Sequence, residues 1–151
     1  MFAWGRAGYL RGVKLSVKSD YAARAVLSLA RNHSKGRVMK VEDLAAENGI
    51  PANYLVQILI ELKSRNIVRS VRGKEGGYLL ARLPSEITLG QVLRCIHGPI
   101  FEPDAVSEPL YPPELREAWK KVQEGLDALT DSIHFEKLAE DGAAKRSMYY
   151  I

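Results

Sequence analysis

The chain has 151 residues, 46% of them hydrophobic and 26% charged, with a formal net charge of +4. That length supports one core of ordinary size with an extension, but not two independent domains. A single cysteine excludes an internal disulfide framework. Because the chain also lacks a long apolar run and a signal-peptide stretch, we expect a cytoplasmic protein with no membrane contact.

Charge is distributed unevenly along the chain. Residues 1–100 hold 16 Lys and Arg against 7 Asp and Glu, a balance of +9, whereas residues 101–151 hold 6 against 11, a balance of −5. This polarity places phosphate attraction at one end of the molecule. It predicts nucleic-acid binding that weakens steeply with salt.

The first predicted helix runs from Val17 to Asn32, with Ser16 or Ser19 available as its N-cap. Its apolar positions form a wide stripe, made of Tyr21, Ala22, Ala25, Val26, Leu29 and Ala30. This helix should pack under the unit that follows.

Two short helical patterns then meet at a tight turn. The first runs from about Val41 to Glu47, and Asn48-Gly49 supplies the positive-φ residues that end it. Pro51 fixes φ in the first turn of a second helix. The core-facing positions of that helix are Tyr54, Leu55, Ile58, Leu59 and Leu62. The arrangement is typical of a helix-turn-helix that reads DNA.

The second helix carries candidate DNA contacts. Asn53 and Gln57 lie in its N-terminal part, where a recognition helix meets base edges, and amide side chains pair bidentately with adenine. Tyr54 is a further candidate for base contact. Lys63 and Arg65, at the far end, are candidates for contact with the phosphate backbone.

A basic hairpin follows, with two β-prone runs at Ile67 to Val71 and Tyr78 to Ala81, joined by a glycine-containing tip. Such a tip suits insertion along a phosphate backbone or into a narrow minor groove. The basic side chains on or beside it are Arg69, Arg72 and Lys74. A solvated hairpin whose charges only confer solubility is the alternative, and the preceding helix-turn-helix disfavours it.

Three segments together resemble the Rrf2 family of bacterial transcriptional regulators. They are K-L-S-V-K-S-D-Y-A-A-R-A at 14–25, G-I-P-A-N-Y-L-V-Q-I-L at 49–59 and S-V-R-G-K-E-G-G-Y-L-L-A at 70–81. Looser similarity at 86–92 and 132–138 extends the resemblance over nearly all of the chain after residue 12.

This resemblance implies a mainly α fold with a small β-hairpin wing. A winged helix-turn-helix over 13–98 would be followed by a loop and a long C-terminal dimerisation helix within 99–140, and we expect a flexible tail over 141–151. Family membership also implies a homodimer. Carried onto this sequence, Asn53 and Gln57 match recognition-helix contacts, and Arg72 matches the wing arginine that enters the minor groove.

Residues 1–12 precede the family pattern, which begins abruptly at Val13. Two interpretations stay open. The segment comes from an upstream start choice, with Val13 encoded by the true start, or it is a genuine arm whose Arg6 and Arg11 could reach the DNA backbone.

The sequence departs from the family in its cysteines. Many members carry three cysteines before the dimerisation helix, which ligate an iron–sulfur cluster, but the loop from Gly98 to Pro113 has none and the whole chain has one Cys and three His. We therefore expect no metal and no cofactor. A cluster held from elsewhere, by Asp20, Cys95 and a His, is the remaining alternative. Val56 also stands where cluster-binding relatives commonly carry Glu, so target preference should not be copied from them.

Another short helix is predicted over Thr88 to His97 and contains Cys95. A lone cysteine on a partly apolar helix is usually a small buried hydrophobe. A redox-sensing thiol is the alternative.

From Pro113 the apolar residues repeat at spacings of 4, 3, 4, 3 and 4, and they are Leu115, Trp119, Val122, Leu126, Leu129 and Ile133. A complete winged helix leaves little inside one chain to cover such a seam. A two-fold partner is therefore favoured over intramolecular packing. A symmetric dimer predicts a pseudo-palindromic operator.

No enzyme constellation occurs, so we assign no catalytic residues. We interpret the chain as a homodimeric, sequence-specific transcriptional regulator of double-stranded DNA, a repressor without a cluster. Its signal could be a small molecule, a partner protein or oxidation of Cys95. The alternative is a protein-interaction module whose winged helix docks a partner enzyme or assembly factor.

Overall fold

The computed structural model describes residues 15–102 and 107–149, with only the backbone described for Tyr149. Its elements in chain order are α1 (Val17–Arg31), α2 (Val41–Asn48), α3 (Ala52–Ser64), β1 (Val68–Val71), β2 (Gly77–Leu80), α4 (Leu89–His97), α5 (Pro113–Asp131) and α6 (Phe135–Tyr149). Short 3₁₀ turns lie at His33–Lys35 and Pro84–Glu86. The mainly α fold with a hairpin wing is confirmed, and the predicted extension over 1–12 lies outside the described residues.

Helix α1 lies at the centre of the molecule and contacts α2, α3, α4, α6 and β2. Ser16 is its cap, because the Ser16 hydroxyl accepts a hydrogen bond from the Ser19 amide at 3.1 Å. The predicted stripe is buried except for Tyr21, which is half-buried. Its many alanines let neighbouring helices approach closely, as close packing of a core requires.

The two strands of the wing pair antiparallel, with Val68 opposite Leu80 and Val71 opposite Gly77. Met39, from the segment before α2, extends this sheet. Its amide donates to the Tyr78 carbonyl at 2.9 Å and its carbonyl accepts from the Tyr78 amide at 2.7 Å. The base of the wing is thereby attached to the start of the helix-turn-helix.

Pro51 precedes α3 and does not form its first turn, which corrects the predicted helix start. Its backbone is extended, with φ −58° and ψ 127°, and its carbonyl accepts hydrogen bonds from the amides of Tyr54 and Leu55. Thr88 caps α4 in a similar place, and its hydroxyl accepts from the Gln91 amide at 3.2 Å.

Ile133 lies outside α5, so its predicted place on the dimerisation helix is wrong. The helix ends at Asp131, where the Ser132 hydroxyl donates to the Leu129 carbonyl at 2.6 Å. The Ile133 carbonyl then accepts a hydrogen bond from the Leu89 amide at 2.8 Å. These bonds turn the chain between α5 and α6 and attach it to the start of α4.

The predicted flexible tail is wrong for residues 141–149, which are helical in α6. Phe135 anchors this helix in the core with 1% of its surface exposed, and Lys137 forms an ion pair with Asp141 one turn away at 2.9 Å. Helix α6 packs along α1. Among the helices of the described residues, none has the length and apolarity needed to cross a bilayer.

Replacing Phe135 with Ala should lower the free energy of unfolding by about 3–5 kcal/mol, because it leaves a cavity between α6 and the core. Urea denaturation followed by circular dichroism would measure the change. The matched control is Met148→Ala in the same helix, where 77% of the side chain is exposed and a change within about 0.5 kcal/mol is expected. Equal effects of the two substitutions would contradict the packing of α6.

Candidate nucleic-acid interface

Helices α2 and α3 form the helix-turn-helix. Gly49 ends α2 in the left-handed conformation, with φ 65° and ψ 35°, and its amide donates to the Ala45 carbonyl. Ile50 follows with 4% exposure and fills the space between the two helices and the core. The turn therefore fixes the direction in which α3 leaves.

Helix α3 has one buried face and one exposed face. The buried positions are Leu55, Ile58, Leu59 and Leu62. Asn53 and Gln57, the predicted base contacts, are both exposed and lie one turn apart, so they share the outer face. Ile60 extends that face with 52% exposure, and Val56 is half-buried beside it.

Tyr54 occupies the edge of the buried face. Its ring meets that of Tyr21 edge-on, with centroids 5.8 Å apart and an interplanar angle of 76°, and it is half-buried. This pair attaches the first turn of α3 to α1. Packing therefore accounts for Tyr54, and its contact with bases stays a prediction.

The tip of the wing depends on glycine at two positions. A Cβ at Gly76 would lie 2.3 Å from the Val71 carbonyl oxygen, and one at Gly77 would lie 2.4 Å from the Met39 carbonyl oxygen. Only glycine allows the backbone to approach this closely. The strands therefore turn sharply and present residues 72–75 to solvent.

The predicted backbone contacts fall into two groups. Arg69, Arg72 and Lys74 are exposed on the wing, and none of them forms an ion pair with any residue that the structure describes. Lys63 joins this group, because its Nζ donates to the Ser70 hydroxyl of β1 at 2.8 Å. Arg65, by contrast, borders a small cavity with α4.

Lys40 is a candidate that the sequence interpretation missed. It is exposed, immediately precedes α2 and follows Met39, the residue paired with the wing. That position brings a cation close to the base of the wing and to the positive end of α2. A lysine directly before the first helix of the motif was the available signal.

Two predicted dimerisation residues pack within the chain. The ring of Trp119 lies 5.6 Å from that of Phe101, and its Nε1 donates to the Tyr111 hydroxyl at 2.6 Å. Leu126 lines a cleft with Phe101 and Leu93. The remaining helical seam positions are exposed by 40% to 59%, and they are Leu115, Val122 and Leu129.

The model of the Rrf2 family, described as an iron-dependent transcriptional regulator, matches residues 15–141. The chain belongs to the Rrf2 family.

Its relatives in this family are helix-turn-helix regulators. Bacillus subtilis CymR is 31% identical over 141 residues, which cover 92% of this chain and 100% of CymR. The Mycobacterium tuberculosis protein Rv1287, whose name describes it as an HTH-type transcriptional regulator, is 51% identical over 88 residues, or 58% of this chain. The chain spans about half the length of Rv1287, with 54% of that protein covered.

Solved Rrf2 structures share the fold. Bacillus subtilis CymR superposes with a TM-score of 0.74 at 30% identity, covering 84% of this chain and 96% of that one. IscR of T. potens superposes with a TM-score of 0.73 at 30% identity, covering 92% of this chain and 98% of IscR. The chain thus has the predicted winged-helix fold, and the family to which it belongs consists of transcriptional regulators, not enzymes.

The iron dependence in the family description does not fit the donor atoms of this chain. Iron–sulfur clusters are held by several cysteine thiolates, and this Rrf2 member has one Cys in 151 residues. Within residues 15–102 and 107–149, no three His, Cys, Asp or Glu side chains come together as a metal site.

Cys95 itself is half-buried, and its thiol donates to the Glu61 carbonyl of α3 at 3.3 Å. Burial raises the pKa of the Cys95 thiol; the guanidinium of Arg65 opposes this rise and the carboxylate of Glu61 adds to it. A raised pKa leaves less thiolate at neutral pH, and the thiolate is the species that reacts with oxidants. This environment favours the structural role of Cys95 over the redox role.

Alkylation of Cys95 by iodoacetamide at pH 8 should be slower in the folded chain than in the same chain unfolded in urea. Since the folded pKa is raised, the neutral thiol is favoured by folding, and that advantage is lost as the pH rises above the usual thiol pKa. Mass spectrometry at timed intervals would measure both rates. A folded rate equal to or above the unfolded rate would favour a redox sensor instead.

Proposed function

We propose that this chain is a homodimeric, sequence-specific DNA-binding repressor that functions without an iron–sulfur cluster. One observation carries the proposal. The exposed amides of Asn53 and Gln57 share the outer face of α3, and beside α3 stands a glycine-tipped wing whose basic side chains form no ion pair with a described residue. This arrangement supports a role for α3 in base reading and for the neighbouring wing in phosphate attraction, as in winged helix-turn-helix proteins.

Base contacts and backbone contacts are assigned by chemistry. The Asn53 and Gln57 amides can each donate to and accept from an adenine edge, so they are proposed to read sequence. Arg72 at the wing tip is proposed to enter the minor groove, where negative potential attracts arginine. The side chains proposed to contact phosphates are Lys63, Arg69, Lys74 and Arg65. Arg65 differs from the other three in bordering a cavity with α4, away from the wing.

A second copy of the chain is proposed to cover α5. Leu115, Val122 and Leu129 recur every seven residues and stay exposed after the chain has packed Trp119 and Leu126 inside. An apolar row with that repeat fits the same row of a two-fold partner. Such a dimer presents two copies of α3, which predicts an operator with two half-sites separated by whole turns of DNA.

The proposed repressor role is supported by the donor atoms of the chain, which offer one thiol where a cluster needs several. With one cysteine, the chain has no cluster to acquire before it can bind, so the free dimer is proposed to be competent for DNA and to be released by a signal. Occupancy of promoter DNA by such a dimer blocks transcription until that signal arrives.

Substitution of Gln57 by Ala should weaken binding to native operator DNA by about 1–3 kcal/mol and reduce the preference over a scrambled duplex. Arg69→Ala should weaken binding to both duplexes alike and lower the salt dependence by about one phosphate contact. Fluorescence anisotropy on DNA from upstream of the gene, at two salt concentrations, measures the affinity, the preference for native over scrambled duplex and the salt dependence. Lys145→Ala on α6 is the matched control for loss of one positive charge.

The alternative function, a protein-interaction module whose winged helix docks a partner, predicts a different result in the same assay. Ile60, an exposed apolar side chain on the outer face of α3, would suit a protein partner as well as a thymine methyl group. If the chain were such a module, wild type and Gln57→Ala would bind both duplexes equally weakly. That result would reject the DNA-reading role of α3.

The dimer is tested by Val122→Glu, which places a charge in the middle of the exposed row on α5. We expect the molecular mass measured by sedimentation velocity to fall from twice that of the chain to that of a single chain, because an unpaired charge in an apolar interface is costly. Circular dichroism should stay the same, since Val122 is 41% exposed in the single chain. Lys121→Glu, one position away on the same helix, is the control and should remain dimeric.

A further inference from the structure

A cleft of about 410 Å³ lies between the end of α1, the two 3₁₀ turns and α6. Its size falls within the range of small-molecule sites. None of the residues proposed to contact DNA or the second chain lines it. Its walls come from three parts of the sequence, residues 30–34, 83–85 and 136–146.

Two arginines converge on one point at the rim of this cleft. A methyl group built on Gly142 would lie 3.4 Å from an Nη of Arg146 and 3.6 Å from an Nη of Arg31. Neither guanidinium forms an ion pair with a described residue. Two exposed guanidinium groups close to the same glycine, neither paired with a described carboxylate, could together bind the carboxylate of a ligand, because guanidinium binds that group bidentately.

The same cleft also holds negative charge. Glu136 and Glu140 line it from α6, and they too form no ion pair within the described part of the chain. Apolar side chains complete the walls, namely Ala30, Leu83, Pro84, Ala139 and Ala143. A ligand with several negative charges would be repelled by the glutamates, whereas one carrying an amine beside its carboxylate would satisfy both signs.

The walls of the cleft lead directly to the DNA-binding unit. Arg82, next to Leu83, donates from Nε to the Asn66 carbonyl at 3.0 Å, just beyond the end of α3. On the other side, Asn32 donates from its amide to the Met39 sulfur at 3.1 Å, and Met39 is paired with Tyr78 of the wing. A ligand that shifts these walls would therefore alter both α3 and the wing base.

We propose that this cleft is an effector site for a small zwitterion of the free amino-acid class, with its carboxylate on Arg31 and Arg146 and its ammonium group towards Glu136 and Glu140. Occupancy draws α6 and the 3₁₀ turns together and changes DNA affinity. This regulatory part rests on the proposed function, whereas the binding site does not.

The binding test uses the full chain without DNA. Thermal denaturation is scanned in the presence of each common L-amino acid, and those that raise Tm are titrated by calorimetry alongside their N-acetyl and carboxamide derivatives. We expect one site per chain, and loss of about tenfold in affinity when either charged end of the ligand is blocked or when Arg31→Gln or Arg146→Gln is introduced. Lys145→Gln, beside the cleft but not lining it, should bind as wild type. No binding by any amino acid, or binding indifferent to both arginine substitutions, overturns the proposal.

Gly142→Ala separates ligand binding from stability. Alanine favours a helix interior over glycine and its methyl group meets only ordinary contacts, so Tm should rise. The methyl group would crowd the space that both guanidinium groups face, so ligand affinity should fall. Unchanged affinity in this more stable variant would overturn the assignment of the site.

The proposed regulatory role is tested by measuring the affinity for upstream DNA by fluorescence anisotropy, with and without the amino acid that binds. We expect DNA affinity to change in wild type and not in Arg146→Gln. Ligand binding by calorimetry without any change in DNA affinity overturns the regulatory role. A chain that binds the amino acid but no DNA under either condition overturns the proposed function and leaves the site standing.

Discussion

The burial of one face of α1 is the constraint on which the rest of the structure depends. Ala22, Ala25 and Val26 have no exposed surface, and four helices and a strand pack around them. The recognition unit is further attached by a polar bond, because the Asn48 amide donates to the buried Ser28 hydroxyl at 2.9 Å. Loss of that bond would leave a buried polar group unsatisfied, which is costly. The orientation of the helix-turn-helix is thus set by α1.

The basic side chains separate by whether an acidic partner lies nearby. Lys18 pairs with Glu61 and connects α1 to α3, and Arg94 pairs with Asp131 and connects α4 to α5. Such partly exposed pairs contribute little stability, about 0–1 kcal/mol each, but they neutralise the cations that hold helices together. The cations of the wing form no ion pair with a described residue, and Glu75 at the tip offsets only part of their charge, so the wing adds positive potential to the proposed DNA surface.

Local signals in the sequence predicted the DNA-reading part of the fold. Gly49 needed a left-handed turn and the wing needed glycine beside paired strands, and both requirements can be recognised from a few neighbouring residues. The end of α5 could not be recognised in this way. The heptad spacing continues to Ile133, but the bond between the Leu89 amide and the Ile133 carbonyl joins residues distant in sequence.

Helix α6 was missed for a related reason. Asp141-Gly142 resembles a helix stop, and its persistence as helix depends on tertiary packing through Phe135. The amphoteric cleft escaped prediction because its walls are separated by about fifty residues along the chain on each side. Dispersed charges in a sequence look like a solvated surface until the fold brings them to one place.

The turn after α5 connects the exposed apolar row on α5 with α6, the helix that lines the cleft. Through Leu89 and Ile133 it attaches the row proposed for the second chain to α4, and Phe135 then inserts α6 into the core against α1. A change in the position of α6 must therefore be accommodated by α1, against which it packs, or by the turn that joins it to α5. Since α1 also holds the recognition unit, movement at the cleft would change the local contacts of α3 and, in the proposed dimer, the spacing between the two copies of α3. A change of spacing acts on both half-sites at once, so a small ligand could affect a dimer on its operator more than a single chain on one half-site.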